Sequence, residues 1–164
     1  MKIRLAAPLQ IDSIIDGEGL RMVLWFQGCE IHCPKCHNPQ TWDINGGQEY
    51  ELEDILKQIY DYKDRYDGIT LSGGHPLLQP NQCLEIVQFC KQNGLNVWLY
   101  TGLIYEDIIK NKIFKEILKY VDVLVDGRYI DSLRDITLKW KGSSNQRVID
   151  VQKSLQEGGI VLYE

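Results

Sequence analysis

The sequence predicts an α/β protein whose parallel sheet forms an open or partial βα barrel, in a single domain over residues 1–164. Three observations support this fold class. Segments rich in β-forming residues alternate with segments of helical periodicity, which is the pattern of parallel strands joined by crossover helices. Each predicted strand ends at a turn that contains glycine. The chain has 164 residues, whereas a complete eight-fold barrel typically needs about 250.

The first elements are predicted in the amino-terminal half. Met22–Phe26 is a run of apolar and β-forming residues that stops at Gln27-Gly28, so we predict a buried strand. A helix is predicted over roughly residues 51–63, because apolar residues recur there at the spacing of one helical face. These apolar residues are Leu52, Ile55, Leu56 and Ile59. Gly68–Leu71 is predicted as the second strand.

The alternation continues in the second half. A second helix is predicted from apolar residues at the spacing of one helical face: Cys83, Ile86, Val87 and Cys90. Gly94 follows them and is suited to a helix C-cap. Asn96–Tyr100 is predicted as the third strand. Residues 105–119 are predicted to be helical with a break near Asn111, and Val121–Val125 is the predicted fourth strand.

Glycine and polar residues directly follow each predicted strand. Ligands of parallel α/β proteins bind at the carboxyl ends of the strands. We therefore expect four loops to face one another around one site. They begin at Gly28-Cys29, Ser72-Gly73-Gly74, Thr101-Gly102 and Asp126-Gly127.

Composition excludes several classes of partner and compartment. The formal net charge is −5, with 18 Lys+Arg against 23 Asp+Glu, which is a poor match for nucleic acid. The longest apolar runs are far too short to cross a membrane. The first residues contain no long apolar stretch, so we expect the cytoplasm. An odd count of five cysteines then favours metal or redox chemistry over a disulfide framework.

Three of the cysteines crowd into a predicted cluster loop, residues 28–38, with the spacing C-x3-C-x2-C. Cys29, Cys33 and Cys36 are candidate metal ligands, because thiolates are the usual ligands of iron–sulfur clusters. Three protein ligands would leave one iron of a four-iron cube open to a substrate. Two alternatives remain: buried structural thiols, and a zinc site with a further ligand. The candidates for that ligand are His32, His37, Cys83 and Cys90.

The cysteine spacing resembles the signature of the radical S-adenosylmethionine (SAM) superfamily. From about residue 8 to about residue 150, the chain also resembles the activating proteins of the anaerobic ribonucleoside-triphosphate reductase. The resemblance lies in the segments Asp16–Arg21, Gln27–Cys29, Cys36–Trp42, Leu71–Gly74, Asp122–Gly127 and Trp140–Arg147.

The resemblance implies a radical-SAM-type barrel and an oxidoreductase that activates a glycyl-radical enzyme. Cys29, Cys33 and Cys36 would bind a [4Fe–4S] cluster, and SAM would chelate the fourth iron. One electron, from a donor such as a flavodoxin, would cleave SAM to methionine and a 5′-deoxyadenosyl radical. That radical would take hydrogen from a glycine of the anaerobic (class III) ribonucleotide reductase. No acid–base dyad is needed, since the cofactors carry the hard chemistry.

The candidate cofactor-binding residues lie at the strand ends and in the cluster loop. They are Asn38, Ser72, Gly73, Gly74, His75, Thr101, Asp126 and Gly127. His75 stands where the superfamily usually has an acidic residue after two glycines. Ordinary turn roles remain the alternative for the glycines and for Thr101 and Asp126. Asn38 could support a cluster sulfur or cap the next element.

Other functions remain open at this stage. The chain could be a small radical SAM enzyme acting on a free metabolite, of the deazapurine ring contractase type. It could also be a non-enzymatic iron–sulfur electron carrier with a fourth ligand such as Cys83, or a zinc-stabilised module. Residues 140–164 are a candidate partner-docking or closing segment, although the basic residues around Gly142 could equally form a solvated loop.

Overall fold

The computed structural model describes all residues, 1–164, and is organised around one eight-stranded sheet. The strands are β1 (Lys2–Leu5), β2 (Gln10–Ser13), β3 (Arg21–Phe26), β4 (Gln48–Glu51), β5 (Gly68–Gly73), β6 (Asn96–Tyr100), β7 (Val123–Asp126) and β8 (Arg147–Asp150). The helices are α1 (Leu52–Tyr62), α2 (Pro80–Gln92), α3 (Tyr105–Ile108), α4 (Lys112–Leu118) and α5 (Val151–Glu157). The strand order is β4-β1-β3-β5-β6-β7-β8, and β2 also pairs with β3.

The four strands predicted from the sequence form the parallel centre of the sheet. β3, β5, β6 and β7 pair in parallel in that order. Their carboxyl ends therefore lie at one edge, where Phe26 is in register with Gly73 and Tyr100 with Val125. Helices lie between successive strands along the chain. The predicted α/β class with an open barrel is confirmed, because the sheet runs from β4 to β8 without closing.

Antiparallel strands flank this centre, which the sequence analysis did not predict. β1 pairs antiparallel with β3 and β4, and β8 pairs antiparallel with β7. These strands are four residues long. β4 has the sequence Gln-Glu-Tyr-Glu and no fully buried residue, so it lacks the apolar signal of a buried strand.

The predicted helices are confirmed with small changes of boundary. The segment predicted as helical over residues 105–119 forms two helices, α3 and α4, with the break at Asn111 as predicted. The Asn111 side chain accepts hydrogen bonds from the backbone N–H groups of Ile113 and Phe114 and so caps α4. Gly94 follows α2 with φ of +74°, as expected for a residue that ends a helix.

The two faces of the sheet pack into two different hydrophobic clusters, as the residues of β6 show. Val97 and Leu99 lie in the main hydrophobic core, and α2 packs against this strand. Trp98 and Tyr100 alternate with them and lie in a second cluster, with Val123 and Val125. Tyr100 also lines a cavity at the carboxyl edge of the sheet. No helix of the structure combines the length and apolar character needed to cross a bilayer.

Candidate functional site

A cavity of about 250 Å³ opens at the carboxyl edge of the parallel strands. All four predicted loops contribute to it. Most of the predicted site residues line its wall: Cys29, Cys33, Cys36, Asn38, Ser72, Gly73, Gly74, Thr101 and Gly127. The topology therefore brings together residues as distant in the sequence as Cys29 and Gly127. His75 and Asp126 are the two predicted residues that do not line the cavity.

The cluster loop presents three free thiols to this cavity. Cys29 is buried, and Cys33 and Cys36 are partly exposed. Cys36 N–H donates to the Cys33 carbonyl at 3.1 Å, which turns the chain between these two residues. Burial raises the pKa of the Cys33 thiol. A ligand that binds the thiolate must offset this cost of burying charge, as a metal centre does.

Asn38 contacts a thiol through its backbone. Its N–H donates to Cys36 Sγ at 3.4 Å, and hydrogen bonds of this kind tune the potential of iron–sulfur clusters. Its side chain makes no cap bond to the short turn Pro39–Thr41. The alternative that the Asn38 side chain caps the next element is therefore wrong.

The arrangement of the thiols fits a cluster. The three thiols share one cavity without converging as the ligands of a single ion. A four-iron cube can be bound by three thiols of one cavity, because each thiolate binds a different iron. The other two cysteines lie elsewhere, in the core face of α2. Burial raises the pKa of Cys83 and of Cys90 to about 12, so both remain protonated hydrophobic side chains.

Gly73 and Gly74 bring the end of β5 against the start of the cluster loop. Gly74 N–H donates to the Phe26 carbonyl at 2.9 Å, and His75 N–H donates to the Gly28 carbonyl at 2.7 Å. Gly73 has φ of +107°, and a Cβ there would lie 2.5 Å from both N and O of Phe26. A Cβ on Gly74 would overlap the Gly28 carbonyl oxygen. Both positions need glycine for this close backbone approach.

The His75 side chain points behind the cavity wall. It is 1% exposed, with Nδ1 2.9 Å from Glu30 Oε1 and Nε2 2.9 Å from Thr101 Oγ1. Burial lowers the pKa of His75, and Glu30 opposes that change only in part. Both ring nitrogens therefore have partners within the protein. A contact between this imidazole and SAM stays a prediction.

Asp126 is also committed to partners within the protein. It is buried at the end of β7 and receives hydrogen bonds from Arg147 and from the backbone N–H of Tyr105. Gly127, the next residue, reaches the cavity with φ of +98°. Gln146 supports this turn, because its Nε2 donates to the Gly127 carbonyl at 3.0 Å.

Several residues of the wall were not among the predicted site residues. Asp16, Trp25, Tyr100, Tyr129 and Gln146 all line the cavity. Asp16 lies in the first segment of the family resemblance, and Tyr100 is the last residue of a predicted strand. Both features could have identified these residues as part of the site. Tyr129 and Gln146 lie in the irregular connection between β7 and β8, which has no periodicity. Gln146 belongs to the last segment of the family resemblance, whereas Tyr129 lies outside all of these segments.

The cavity wall is also distinctive in charge. It contains no Lys or Arg side chain, Asp16 is its only carboxylate, and His37 is its only histidine. Asp16 is held by Ser13, whose hydroxyl donates to Oδ2 at 2.6 Å. Such a wall favours a ligand that carries positive charge over a bare phosphate or carboxylate.

Comparison with known proteins decides the family. The family described as "4Fe-4S single cluster domain" matches residues 15–149. The anaerobic ribonucleoside-triphosphate reductase-activating protein of Escherichia coli K12 is 37% identical over 143 residues, which cover 83% of this chain and 92% of that protein. The chain belongs to the family of anaerobic ribonucleoside-triphosphate reductase-activating proteins. The family member from Vibrio cholerae is 35% identical over 141 residues, covering 82% of this chain and 90% of its own length.

Similarities also extend beyond this activating-protein family. The pyruvate formate-lyase-activating enzyme of Clostridium pasteurianum is 40% identical over 125 residues, or 73% of this chain. The chain spans about half of that enzyme, 50% of its length. The crystal structure of QueE from Escherichia coli aligns with a TM-score of 0.52 at 17% identity, over 62% of this chain and 53% of QueE. QueE supports the fold class, while the family match confirms the predicted [4Fe–4S] cluster.

Proposed function

We propose that this member of the activating-protein family is a radical SAM enzyme that installs a glycyl radical on an anaerobic ribonucleoside-triphosphate reductase. One observation carries the proposal: three free thiols and the glycine-rich ends of the parallel strands share a single cavity in a chain of this family. The cluster loop and the carboxyl ends of the parallel strands therefore lie side by side around this cavity.

The proposed cluster ligands are Cys29, Cys33 and Cys36. Their loop is anchored where Gly28 N–H donates to the Thr41 carbonyl at 2.6 Å and Cys29 N–H to the Trp42 carbonyl at 3.1 Å. When bound, the [4Fe–4S] cluster would supply the electron that cleaves SAM, and the 5′-deoxyadenosyl group released from SAM would receive the hydrogen atom taken from the glycine of the partner. The chain itself positions these groups and excludes water, as is usual for cofactor enzymes.

The remaining wall residues suit SAM, which carries a sulfonium and an ammonium group. Asp16 supplies negative charge, and the wall contains no Lys or Arg side chain. Trp25 and Ile31 add apolar surface, which lowers the local dielectric and strengthens electrostatic contacts. We propose that Ser72, Gly73 and Gly74 contact SAM through their backbone, and that Thr101 and Gly127 contact it from the neighbouring strand ends.

The electron donor and the compartment complete the proposal. A one-electron protein donor such as a flavodoxin would reduce the cluster. All five cysteines are free thiols, which suits the reducing cytoplasm. A cluster with one iron open to ligands is sensitive to oxygen, and this sensitivity agrees with an anaerobic pathway.

The test begins with an electron paramagnetic resonance (EPR) spectrum of the anaerobically reconstituted, dithionite-reduced protein with and without SAM. We expect a [4Fe–4S]⁺ signal that changes when SAM is added. Mixing the protein with the reductase and SAM should then produce a glycyl radical signal, and the Cys29→Ala variant should produce none.

Other outcomes would identify the alternatives. A cluster signal indifferent to SAM would contradict the proposal and favour an electron carrier. Turnover of a small molecule, with no radical formed on the reductase, would favour an enzyme that acts on a free metabolite. Zinc in place of iron would favour a structural module.

A further inference from the structure

A buried histidine links the cluster loop to the ends of two strands. His75 follows Gly74 at the end of β5, and Thr101 follows the last residue of β6. Glu30 is the residue directly after the first loop cysteine, Cys29. The two imidazole nitrogens of His75 span the space between Glu30 and Thr101, at 2.9 Å from each.

The hydrogen bonds of this link run in one consistent direction. The Glu30 carboxylate only accepts, so Nδ1–H of His75 donates to it. In the neutral ring Nε2 then accepts from the Thr101 hydroxyl. The Thr101 oxygen in turn accepts from the Leu103 N–H at 3.1 Å. Every polar atom of the buried imidazole is therefore paired, as burial of such a group requires.

A second contact holds the same part of the loop. A Cβ on Gly102 would lie 2.5 Å from Ile31 Cδ1, so the Ile31 side chain packs closely over the end of β6. After Ile31, the loop residues His32, Pro34 and Lys35 are exposed. The start of the cluster loop is thus the part that is fastened to the sheet.

We propose that His75 is a positioning residue that clamps Glu30, and with it the Cys29 end of the cluster loop, onto the ends of β5 and β6. The inference rests on the proposed function, because it assigns Cys29 to the cluster. It differs from the sequence prediction for His75, since the imidazole acts on the loop and not on SAM. The clamp keeps the Cys29 thiol in place when the cluster forms.

The test measures how fast iron leaves the reconstituted protein to a ferrous chelator, in the absence of SAM and of the reductase. In His75→Gln the amide nitrogen stands near the position of Nε2, so the bond to Glu30 is lost. In His75→Asn it stands near Nδ1, so the bond is kept. We expect iron loss about tenfold faster in His75→Gln, as for loss of a hydrogen bond to a charged group, and within about twofold of wild type in His75→Asn.

Glu30→Ala provides a second variant that removes the same contact from its exposed side, because the Glu30 side chain is 52% exposed. This variant should match His75→Gln, and the double variant should be no faster, since both remove the same contact. Glu85→Ala, at an exposed position on α2, is the matched control and should behave as wild type. The EPR line shape of the reduced cluster should change in His75→Gln and recover in His75→Asn, which a general loss of stability would not produce.

Iron retention equal to wild type in both His75→Gln and Glu30→Ala would overturn the clamp while leaving the proposed function intact. Equal loss in His75→Asn and His75→Gln would also overturn it. A cluster that SAM does not perturb, with these variants still losing iron faster, would overturn the proposed function and leave the clamp standing.

Discussion

The Arg147 guanidinium forms a bidentate ion pair with the Asp126 carboxylate. Nε lies 3.0 Å from Oδ1 and Nη2 lies 2.5 Å from Oδ2, and the two residues are in register across β7 and β8. Paired geometry of this kind is the strong form of the contact. Asp126 therefore stabilises the end of β7, directly before Gly127, which lines the cavity. Its position in the sequence alone had indicated a contact with the ligand.

Replacing Arg147 should destabilise the protein markedly. Arg147→Met leaves the buried Asp126 carboxylate with only its bond from Tyr105 N–H, so the free energy of unfolding should fall by about 2–4 kcal/mol. Urea unfolding of the cluster-free protein measures this change. Glu106 pairs with Arg147 from the exposed side, and Glu106→Gln should cost less than about 1 kcal/mol. Equal losses in the two variants would contradict the assigned role of Asp126.

The fold could be predicted where burial requires a continuous apolar run or a periodic apolar pattern in the sequence. Met22–Phe26 and the apolar face of α1 met this condition, and both are confirmed. β4 and β8 did not, because their residues are partly exposed and their pairing is fixed by distant strands. The cysteine loop could be predicted because its ligand spacing is local. The wall residue Tyr129 could not, since it reaches the cavity only through the tertiary fold.

The two strand-end polar residues illustrate the same limit. His75 and Asp126 occupy positions where parallel α/β proteins bind ligands, and sequence position places both beside the cavity. Whether a side chain faces the cavity or turns behind it depends on a partner from elsewhere in the chain. Glu30 and Arg147 are those partners, and no local pattern pairs them with His75 and Asp126.

The close approach at Gly74 should make this position intolerant of any side chain. In Gly74→Ala the new methyl group would overlap the Gly28 carbonyl and push the cluster loop away from β5. We expect the free energy of unfolding to fall by about 1–3 kcal/mol and SAM affinity to fall with it, measured by urea unfolding and by SAM titration followed by EPR. Gly159→Ala is the control, because nothing lies within 4 Å of its Cβ position. Wild-type stability in Gly74→Ala would show that the backbone contact is not tight.

The cap at Asn111 should account for the break between α3 and α4. Asn111→Ala removes the acceptor for two backbone N–H groups and should lower the free energy of unfolding by about 1 kcal/mol. Asn111→Asp keeps an acceptor at the same position and should stay within a few tenths of wild type. Thermal unfolding of the three proteins measures the difference. A loss in Asn111→Asp as large as in Asn111→Ala would show that the cap bond is not the cause.

The cysteines should separate into two classes when the cluster is assembled. Cys36→Ala removes a thiol that lines the cavity, and we expect it to prevent retention of a four-iron cluster, measured as iron and sulfide per chain after anaerobic reconstitution. Cys83→Ala should retain the full cluster, because Cys83 is buried in the face of α2 that packs on the main core. Its cost should instead appear as about 1 kcal/mol of unfolding free energy, the usual loss when a small buried group is removed.

The pair of variants tests whether the cluster has three protein ligands or four. An electron carrier needs a fourth ligand, and Cys83 was the candidate. Bringing Cys83 to the cavity would require α2 to leave the core, and the thiol would have to ionise although burial raises its pKa to about 12. Loss of iron in Cys83→Ala would show that this rearrangement occurs and that the cluster has no open iron. Full loading in Cys83→Ala together with loss in Cys36→Ala would exclude Cys83 as a fourth ligand, as expected if one iron is free for SAM.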